Sequence, residues 1–173
     1  MLFTDKHQKK LVEYYSNKEF TVQRPKWITR IENIAREGRP ESVLDYGAGV
    51  AQQVANFTDL PVTNYDPIYT PKATVKSFKP FDLVVCNHVL EHVEEKCLQD
   101  VLKHIAMLTK GAAYISVGLG PAIKYDLAGE VAWKVEPRSE TWWQMKLHDE
   151  LGHVAKIASD EKEVAFIWVN DRA

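Results

Sequence analysis

An acid and two glycines in the stretch SVLDYGAGVAQQ, residues 42–53, have the types and spacing of a ligand-binding turn. Asp45 ends a short apolar run, and Gly47 and Gly49 follow it. A glycine turn after the first strand of a parallel sheet lets the backbone approach a ligand at the carboxyl edge. A dinucleotide fingerprint needs a third glycine, but Val50, Ala51 and Gln52 follow Gly49. A carboxylate at the turn instead suits a ligand with a cationic group, such as an ammonium.

A second acid, Asp66, ends the next strand-like run, VTNYD at 62–66, and lies 21 residues after Asp45. An acid about 20 residues after the glycine turn is typical of sites that hold ribose hydroxyls. Alternatively, Asp66 is only a turn residue before Pro67. S-adenosylmethionine carries both an ammonium and a ribose, so the two acids together favour this cofactor over a nicotinamide dinucleotide.

The elements that must position these acids alternate between strand-like and helix-like runs, which predicts a mostly parallel sheet with helices. Strands are predicted at Val43–Leu44, 62–66, 81–86 and 112–119, and the helix before the last of these is expected to end at Gly111. A helix at 141–152 then precedes an antiparallel strand pair, 153–159 and 164–170. The glycines and prolines of 119–140 predict a long loop, and such loops are usually functional or mobile.

The composition limits the possible classes of protein. A chain of 173 residues, of which 45% are hydrophobic, predicts one domain with one sizeable core. A net charge of -2 does not point to nucleic acid. Cys86 and Cys97 have neither disulfide nor zinc-site spacing, so we expect reduced thiols in a cytoplasmic protein and no metal. No signal peptide or membrane span is predicted, because the N-terminus is charged and no apolar run reaches 18 residues.

The segments VLDYGAG, NYDP and FDLVVCNHVLEHV together resemble a class I S-adenosylmethionine-dependent methyltransferase. The VLEHV form is similar to the type 11 branch, and the motif order resembles small bacterial and phage methyltransferase-domain proteins. The resemblance covers roughly residues 40–145. It implies a Rossmann-like α/β fold over a single domain, 1–173, in which 1–40 forms an N-terminal helical lid.

The resemblance also implies roles for individual residues. Asp45 would contact the methionine ammonium, Asp66 would receive the ribose hydroxyls, and His88 would face the sulfonium and the methyl group. The cofactor-binding residues implied are Asp45, Gly47, Gly49, Asp66, Ser77, Phe78, Asn87 and His88. His88 is also the candidate catalytic base, and the alternative is that it covers the cofactor without proton transfer.

Two departures from the family pattern affect the functional prediction. Ala51 stands at the third glycine position, and Trp133 stands where we expect a histidine in the narrower set of relatives. The leading prediction is O- or N-methylation of a small molecule, whereas the alternative is a non-catalytic cofactor-binding or scaffolding protein. Trp133, Trp142 and Tyr14 are the candidate acceptor contacts, and 119–140 is the candidate substrate loop. A nucleic acid or protein acceptor stays open, as does the oligomeric state.

Overall fold

The computed structural model describes residues 2–16, 25, 27–50, 52–68, 79–120, 122–125, 131–135 and 137–171. Its helices are α1 (Asp5–Ser16), α2 (Ile28–Gly38), α3 (Gln53–Phe57), α4 (Glu95–Leu108) and α5 (Glu140–Leu151), with a short 3-10 helix at Leu90–His92. Its strands are β1 (Val43–Tyr46), β2 (Val62–Tyr65), β3 (Phe81–Asn87), β4 (Thr109–Gly118), β5 (Ala122–Tyr125), β6 (Val131–Val135), β7 (Val154–Ser159) and β8 (Glu163–Val169).

Six of these strands form one sheet in the order β2-β1-β3-β4-β8-β7. The first four pair in parallel, whereas β8 is antiparallel to both β4 and β7. The parallel strands therefore place their carboxyl ends at one edge, where open α/β sheets bind ligands. The predicted mostly parallel sheet with a C-terminal antiparallel pair is confirmed.

The two faces of the sheet bury different helices. Alternate residues of β1 and β3 point to opposite sides, as the period of a strand requires. Leu44 and Val84 pack with α4 and α5, whereas Val43 and Val85 pack with α2 and α3. Helix α4 buries one face, which consists of Cys97, Leu98, Val101, Leu102, Ile105 and Leu108. Both cysteines are free and buried.

Two expectations about local structure are wrong. Helix α4 ends at Leu108, and Gly111 lies inside β4. A Cβ at Gly111 would stand 2.5 Å from the carbonyl oxygen of Asp82, so this glycine allows β3 and β4 to approach rather than ending a helix. The predicted loop 119–140 contains an antiparallel hairpin of β5 and β6. Its glycine and proline content concealed two short strands, since the strand pattern was too brief to stand out.

The N-terminal segment 1–40 contains helices with different environments. Leu11 of α1 is 4% exposed and lines an apolar cleft described below. Helix α2 instead buries Ile28 and Ile31 against the sheet. A lid role therefore concerns α1 rather than the whole segment, and it remains a prediction. Within the described residues, none of the helices is long and apolar enough to cross a membrane.

Candidate active site

The glycine turn, residues 47–49, bends sharply at the carboxyl end of β1. Gly47 has φ 80° and Gly49 has φ 55°, both in the left-handed region that favours glycine. The N–H groups of Gly47 and Ala48 donate to the carbonyl of Tyr65 at 2.7 and 3.2 Å. A Cβ on Gly47 would stand 2.4 Å from Cγ2 of Val89, whereas one on Gly49 would have no heavy atom within 4 Å. The absence of a side chain at Gly47 therefore allows Val89 to pack closely against the turn, whereas Gly49 borders open space.

Asp66 connects the end of β2 to this turn. Its Oδ2 accepts a hydrogen bond from the Gly49 N–H at 3.0 Å, and its Oδ1 accepts one from the Ile68 N–H at 2.9 Å. Asp66 thus has a turn role and lies beside the glycines, and its contact with ribose hydroxyls remains a prediction. The carboxylate shapes the site as well as lining it.

These residues line the main cavity, a cleft of about 170 Å³ at the carboxyl edge of the parallel strands. Its wall combines the glycine turn, Asp66 and the chain after β3, with an apolar side supplied by the N-terminal segment. The lining residues are Leu2, Phe3, Leu11, Tyr46, Gly47, Ala48, Gly49, Val50, Asp66, Pro67, Ile68, His88, Val89, His92, Val93 and Val101. An apolar cleft with a few convergent polar groups is the usual form of a small-molecule site.

Asp45 lies in β1, two residues before the glycine turn, and is not one of the lining residues. It is 6% exposed, and burial raises the pKa of its carboxyl to about 7, opposed by a hydrogen bond from the Val54 N–H. The negative charge of Asp66 also raises this pKa. An ionised carboxylate at this depth is costly unless a cation comes near it. Its predicted contact with an ammonium therefore remains a prediction about the ligand-bound state.

His88 is held between two carboxylates where the chain leaves β3. Its Nδ1 lies 2.9 Å from Oε1 of Glu91, and its Nε2 lies 2.9 Å from Oε2 of Glu163. Glu91 Oε1 also accepts a hydrogen bond from the Gly118 N–H at 3.0 Å, and Glu163 forms an ion pair with Arg30. The φ of His88 is 53°, a conformation in which non-glycine residues are uncommon.

The charge of this network bears on the proposed catalytic role of His88. The hydrogen bond to Glu91 raises the pKa of His88 most, burial opposes the rise, and Glu163 adds to it. Both ring nitrogens can donate at once only in the imidazolium form. A general base needs a free lone pair, and neither nitrogen offers one in this arrangement. The geometry thus favours the alternative, in which His88 covers the main cavity without taking a proton.

Replacing Gly118 by alanine should destabilise the protein through this network. The new Cβ would stand 3.1 Å from Glu91 Oε1 and 3.7 Å from His88 Nδ1. Overpacking of this kind costs about 1–3 kcal/mol. Displacing Glu91 should also lower the pKa of His88, because Glu91 is the main cause of its rise. Urea unfolding and an NMR titration of the His88 ring measure the two effects.

Gly120→Ala is the matched control, since a Cβ at Gly120 meets no heavy atom within 4 Å. This variant should keep the wild-type unfolding free energy to within about 0.5 kcal/mol. Equal destabilisation by both substitutions would show that backbone flexibility near the end of β4, rather than contact with Glu91, limits the site.

The other sequence-predicted residues are placed less directly. Asn87 Oδ1 accepts a hydrogen bond from the Ser116 hydroxyl, so Asn87 joins β3 to β4. Ser77 and Phe78 lie outside the described residues, as does Ala51. Tyr14 belongs to α1 and Trp133 to β6.

Trp142 lies near the start of α5 and is not among the residues that line the main cavity. The guanidinium of Arg138 stacks on its ring at 4.9 Å from the centroid, and the Trp143 ring lies edge-on to it at 4.9 Å.

Two groups of residues near the site were not predicted from the sequence. Leu2 and Phe3 lie in the cavity wall, and the Thr4 N–H and hydroxyl donate to Glu94 Oε2 at 3.1 and 2.8 Å. Thr4 comes just before the amphipathic run of α1, and a threonine in that position is a sequence signal for the start of a helix. Glu163 gave no such signal, because it lies 75 residues from His88 in sequence.

Comparison with known proteins agrees with this architecture. A family model described as a methyltransferase domain matches residues 20–161. No curated protein sequence matches the chain. The fold is similar to the 1,6-didemethyltoxoflavin-N1-methyltransferase of Burkholderia thailandensis, solved with 1,6-didemethyltoxoflavin and S-adenosylhomocysteine. That match has a TM-score of 0.61 and 18% identity, and it covers 94% of this chain and 86% of the other.

Two more solved structures share the fold. The DhpI–SAM–HEP complex matches with a TM-score of 0.62 and 12% identity over 93% of this chain and 92% of the other. The methyltransferase domain of bacterial CtHen1 matches with a TM-score of 0.55 and 11% identity over 83% and 97%. The sheet and its helices thus define a Rossmann-like class I methyltransferase fold. By its sequence, the chain belongs to the methyltransferase domain family.

Proposed function

We propose that the protein is an S-adenosylmethionine-dependent methyltransferase that methylates an oxygen or nitrogen of a small molecule. The main cavity carries this proposal, because its wall joins the glycine turn to Asp66 at the ligand-binding edge of a methyltransferase-family sheet. Similar folds have been solved with S-adenosylmethionine or S-adenosylhomocysteine, which supports the choice of cofactor.

The described residues fit such a cofactor. Gly49 borders open space where a side chain would begin, so a ligand can lie against the turn. A carboxylate has about four lone-pair positions, and the contacts of Asp66 with the backbone are compatible with ribose hydroxyls. Asp45 lies in β1, two residues before the turn, and would act on the ammonium through water. When bound, S-adenosylmethionine supplies a methyl group on a positively charged sulfur, toward which the chain must orient the acceptor.

The chain contributes mainly positioning to this chemistry. An in-line displacement depends on alignment, and a base is needed only if the nucleophile must lose a proton. His88, fixed by Glu91 and Glu163, would cover the reacting end of the cleft. The apolar wall from Leu2 and Phe3 would help to exclude water. The occupied ring of His88 also supports the alternative of a binding protein without turnover, which a product assay distinguishes.

The acceptor is proposed to enter from the side of the hairpin and α5. Trp142 and Arg138 form a flat, cationic surface there. Trp133 and Tyr14 remain proposed acceptor contacts. A small molecule is favoured because the main cavity, of about 170 Å³, is apolar, and because the toxoflavin enzyme with a similar fold acts on a small molecule.

Binding measurements test the proposed cofactor. S-adenosylhomocysteine should bind saturably in calorimetry and raise the melting temperature, whereas NAD should do neither. Replacing Asp66 by alanine should weaken this binding by about 10- to 100-fold, since hydrogen bonds to a charged acceptor are worth about 1.5–3 kcal/mol. The same variant should also lower stability, because it removes the acceptor for the Gly49 and Ile68 N–H groups.

Asp59→Ala is the control, because Asp59 is an exposed acid in the turn before β2. It should bind S-adenosylhomocysteine like the wild type. NAD binding without a response to S-adenosylhomocysteine would refute the proposal. Unchanged affinity in folded Asp66→Ala would show that the ribose is held elsewhere.

A further inference from the structure

A second, small cavity of about 30 Å³ lies between the 3-10 helix, the end of β4 and the start of α5. Glu91 and Trp143 form its polar wall, Gly118 and Gly120 form its backbone side, and Trp142 lies in the lining. Val93 lines both this cavity and the main cavity. The two cavities are therefore neighbours that share a side chain.

Two buried polar atoms of this wall have no hydrogen-bond partner within the described part of the chain. They are Oε2 of Glu91, whose residue is 8% exposed, and Nε1 of Trp143, whose residue is 2% exposed. The other oxygen of Glu91 is occupied by His88 and Gly118. A buried donor or acceptor that is left unpaired destabilises the folded state. Both residues line the same cavity, so a group bound there is the candidate partner of both atoms.

The chemistry of the two atoms selects that group. Carboxylate Oε2 only accepts and indole Nε1 only donates. A hydroxyl oxygen donates and accepts at the same atom, whereas an ammonium has no lone pair and a carbonyl or ring nitrogen has no proton. The volume suits one such group, since a cavity of about 10–15 Å³ already holds a water molecule.

We propose that the small cavity is a subsite for a hydroxyl group of the methyl acceptor. This inference rests on the proposed methyltransferase function and narrows the acceptor to a hydroxylated molecule. Glu91 links the subsite to the main cavity, because its Oε1 holds His88 at 2.9 Å and His88 lines that cavity. The Trp142 ring with its stacked Arg138 offers a flat surface for the rest of the acceptor.

Phenol is a suitable probe because it carries one hydroxyl on a flat ring. The indole N–H signal of Trp143, assigned by its loss in Trp143→Phe, should shift saturably when phenol is added to the full chain. Pyridine, which only accepts, and benzylammonium, which only donates, should bind at least 10-fold more weakly. Equal shifts from all three probes, or no shift with phenol up to 100-fold excess, would overturn the proposal and leave an ordered water as the occupant.

Variants of two neighbouring acids locate the contact. Glu91→Gln should weaken phenol binding at least 10-fold, because the carboxamide can present a second donor beside Trp143. Glu95→Gln removes the same charge at the same cavity, where Glu95 forms an ion pair with Arg138, and should change phenol binding less than 2-fold. Similar losses in both variants would assign phenol binding to general charge and overturn the subsite.

Titration of the wild type with S-adenosylhomocysteine separates this inference from the proposed function. Phenol binding without cofactor binding would refute the methyltransferase proposal and keep a hydroxyl site of another role. Cofactor binding without selective phenol binding would refute the subsite alone.

Discussion

Replacing Gly47 by alanine is expected to destabilise the protein by about 2–5 kcal/mol and to abolish measurable binding of S-adenosylhomocysteine. Two costs add here. A left-handed conformation costs a non-glycine residue about 1–2 kcal/mol, and overpacking costs about 1–3 kcal/mol more. The overpacking arises because the new Cβ would stand 2.4 Å from Cγ2 of Val89, a β-branched side chain with little rotamer freedom. Urea unfolding and calorimetry measure the two results.

Gly49→Ala separates these two costs. Gly49 also has a left-handed φ, 55°, but a Cβ there has open space around it. This variant should lose only about 1–2 kcal/mol of stability. It should still weaken cofactor binding, because the added methyl group borders the main cavity.

A second substitution tests the contact with Val89 directly. Val89→Ala removes the clashing methyl groups, so the double variant with Gly47→Ala should be less destabilised than the sum of the single variants. Strict additivity would mean that the clash relaxes without cost and that only the backbone conformation of Gly47 matters.

The sequence predicted the part of the site that depends on strand ends. Parallel strands bring their carboxyl ends together, so a strand ending at Asp66 had to approach the turn that follows the strand carrying Asp45. The structure places the Gly49 N–H 3.0 Å from Asp66 Oδ2. The alternation of β1 and β3 residues between the two faces of the sheet was also predictable, since the strand period is fixed.

Contacts between distant elements were not predictable from one sequence. Glu163 begins β8 and meets His88 only because β8 pairs antiparallel with β4. No local pattern around His88 indicates a partner 75 residues later. Gly111 shows the same limit, since a glycine after a helical run resembles a helix end, and only the approach of Asp82 reveals its place in a strand.

The effect of Asp45→Asn should depend on pH and should reverse the usual cost of a core substitution. Burial raises the pKa of Asp45 from 3.8 to about 7. Between these values the unfolded chain has lost its proton while the folded protein keeps it, so the free energy of unfolding falls as pH rises toward 7. Each pKa unit is worth about 1.4 kcal/mol, which makes the total loss on the order of 4 kcal/mol above pH 7.

Asparagine stays neutral and should remove this loss. At pH 8 the variant should therefore be more stable than the wild type, by about 1–3 kcal/mol once the cost of an unpaired amide is subtracted. At pH 4 the ionisation of Asp45 costs little and the cost of the unpaired amide remains, so the wild type should be the more stable protein by about 1–2 kcal/mol. Chemical unfolding at several pH values between 4 and 8 measures the difference.

Asp82→Asn is a control of opposite sign. Hydrogen bonding to Lys110 and then to Ser42 lowers the pKa of Asp82, so its ionisation stabilises the folded state. The contribution of Asp82 is present above its unfolded pKa and disappears as pH falls through its lowered folded pKa. Asp82→Asn should therefore destabilise the protein near pH 7, and the deficit should shrink in acid.

The proposed ammonium contact links this pH dependence to cofactor binding. A cation near Asp45 favours the carboxylate, so bound S-adenosylhomocysteine should lower the pKa of Asp45 and release protons near pH 7. Affinity should then rise between pH 6 and 8 in the wild type, and less so in Asp45→Asn. Calorimetry in buffers of different ionisation enthalpy counts the released protons. If Asp45→Asn gains stability at pH 8 but proton release is the same in both proteins, Asp45 is a buried structural acid and another group binds the ammonium.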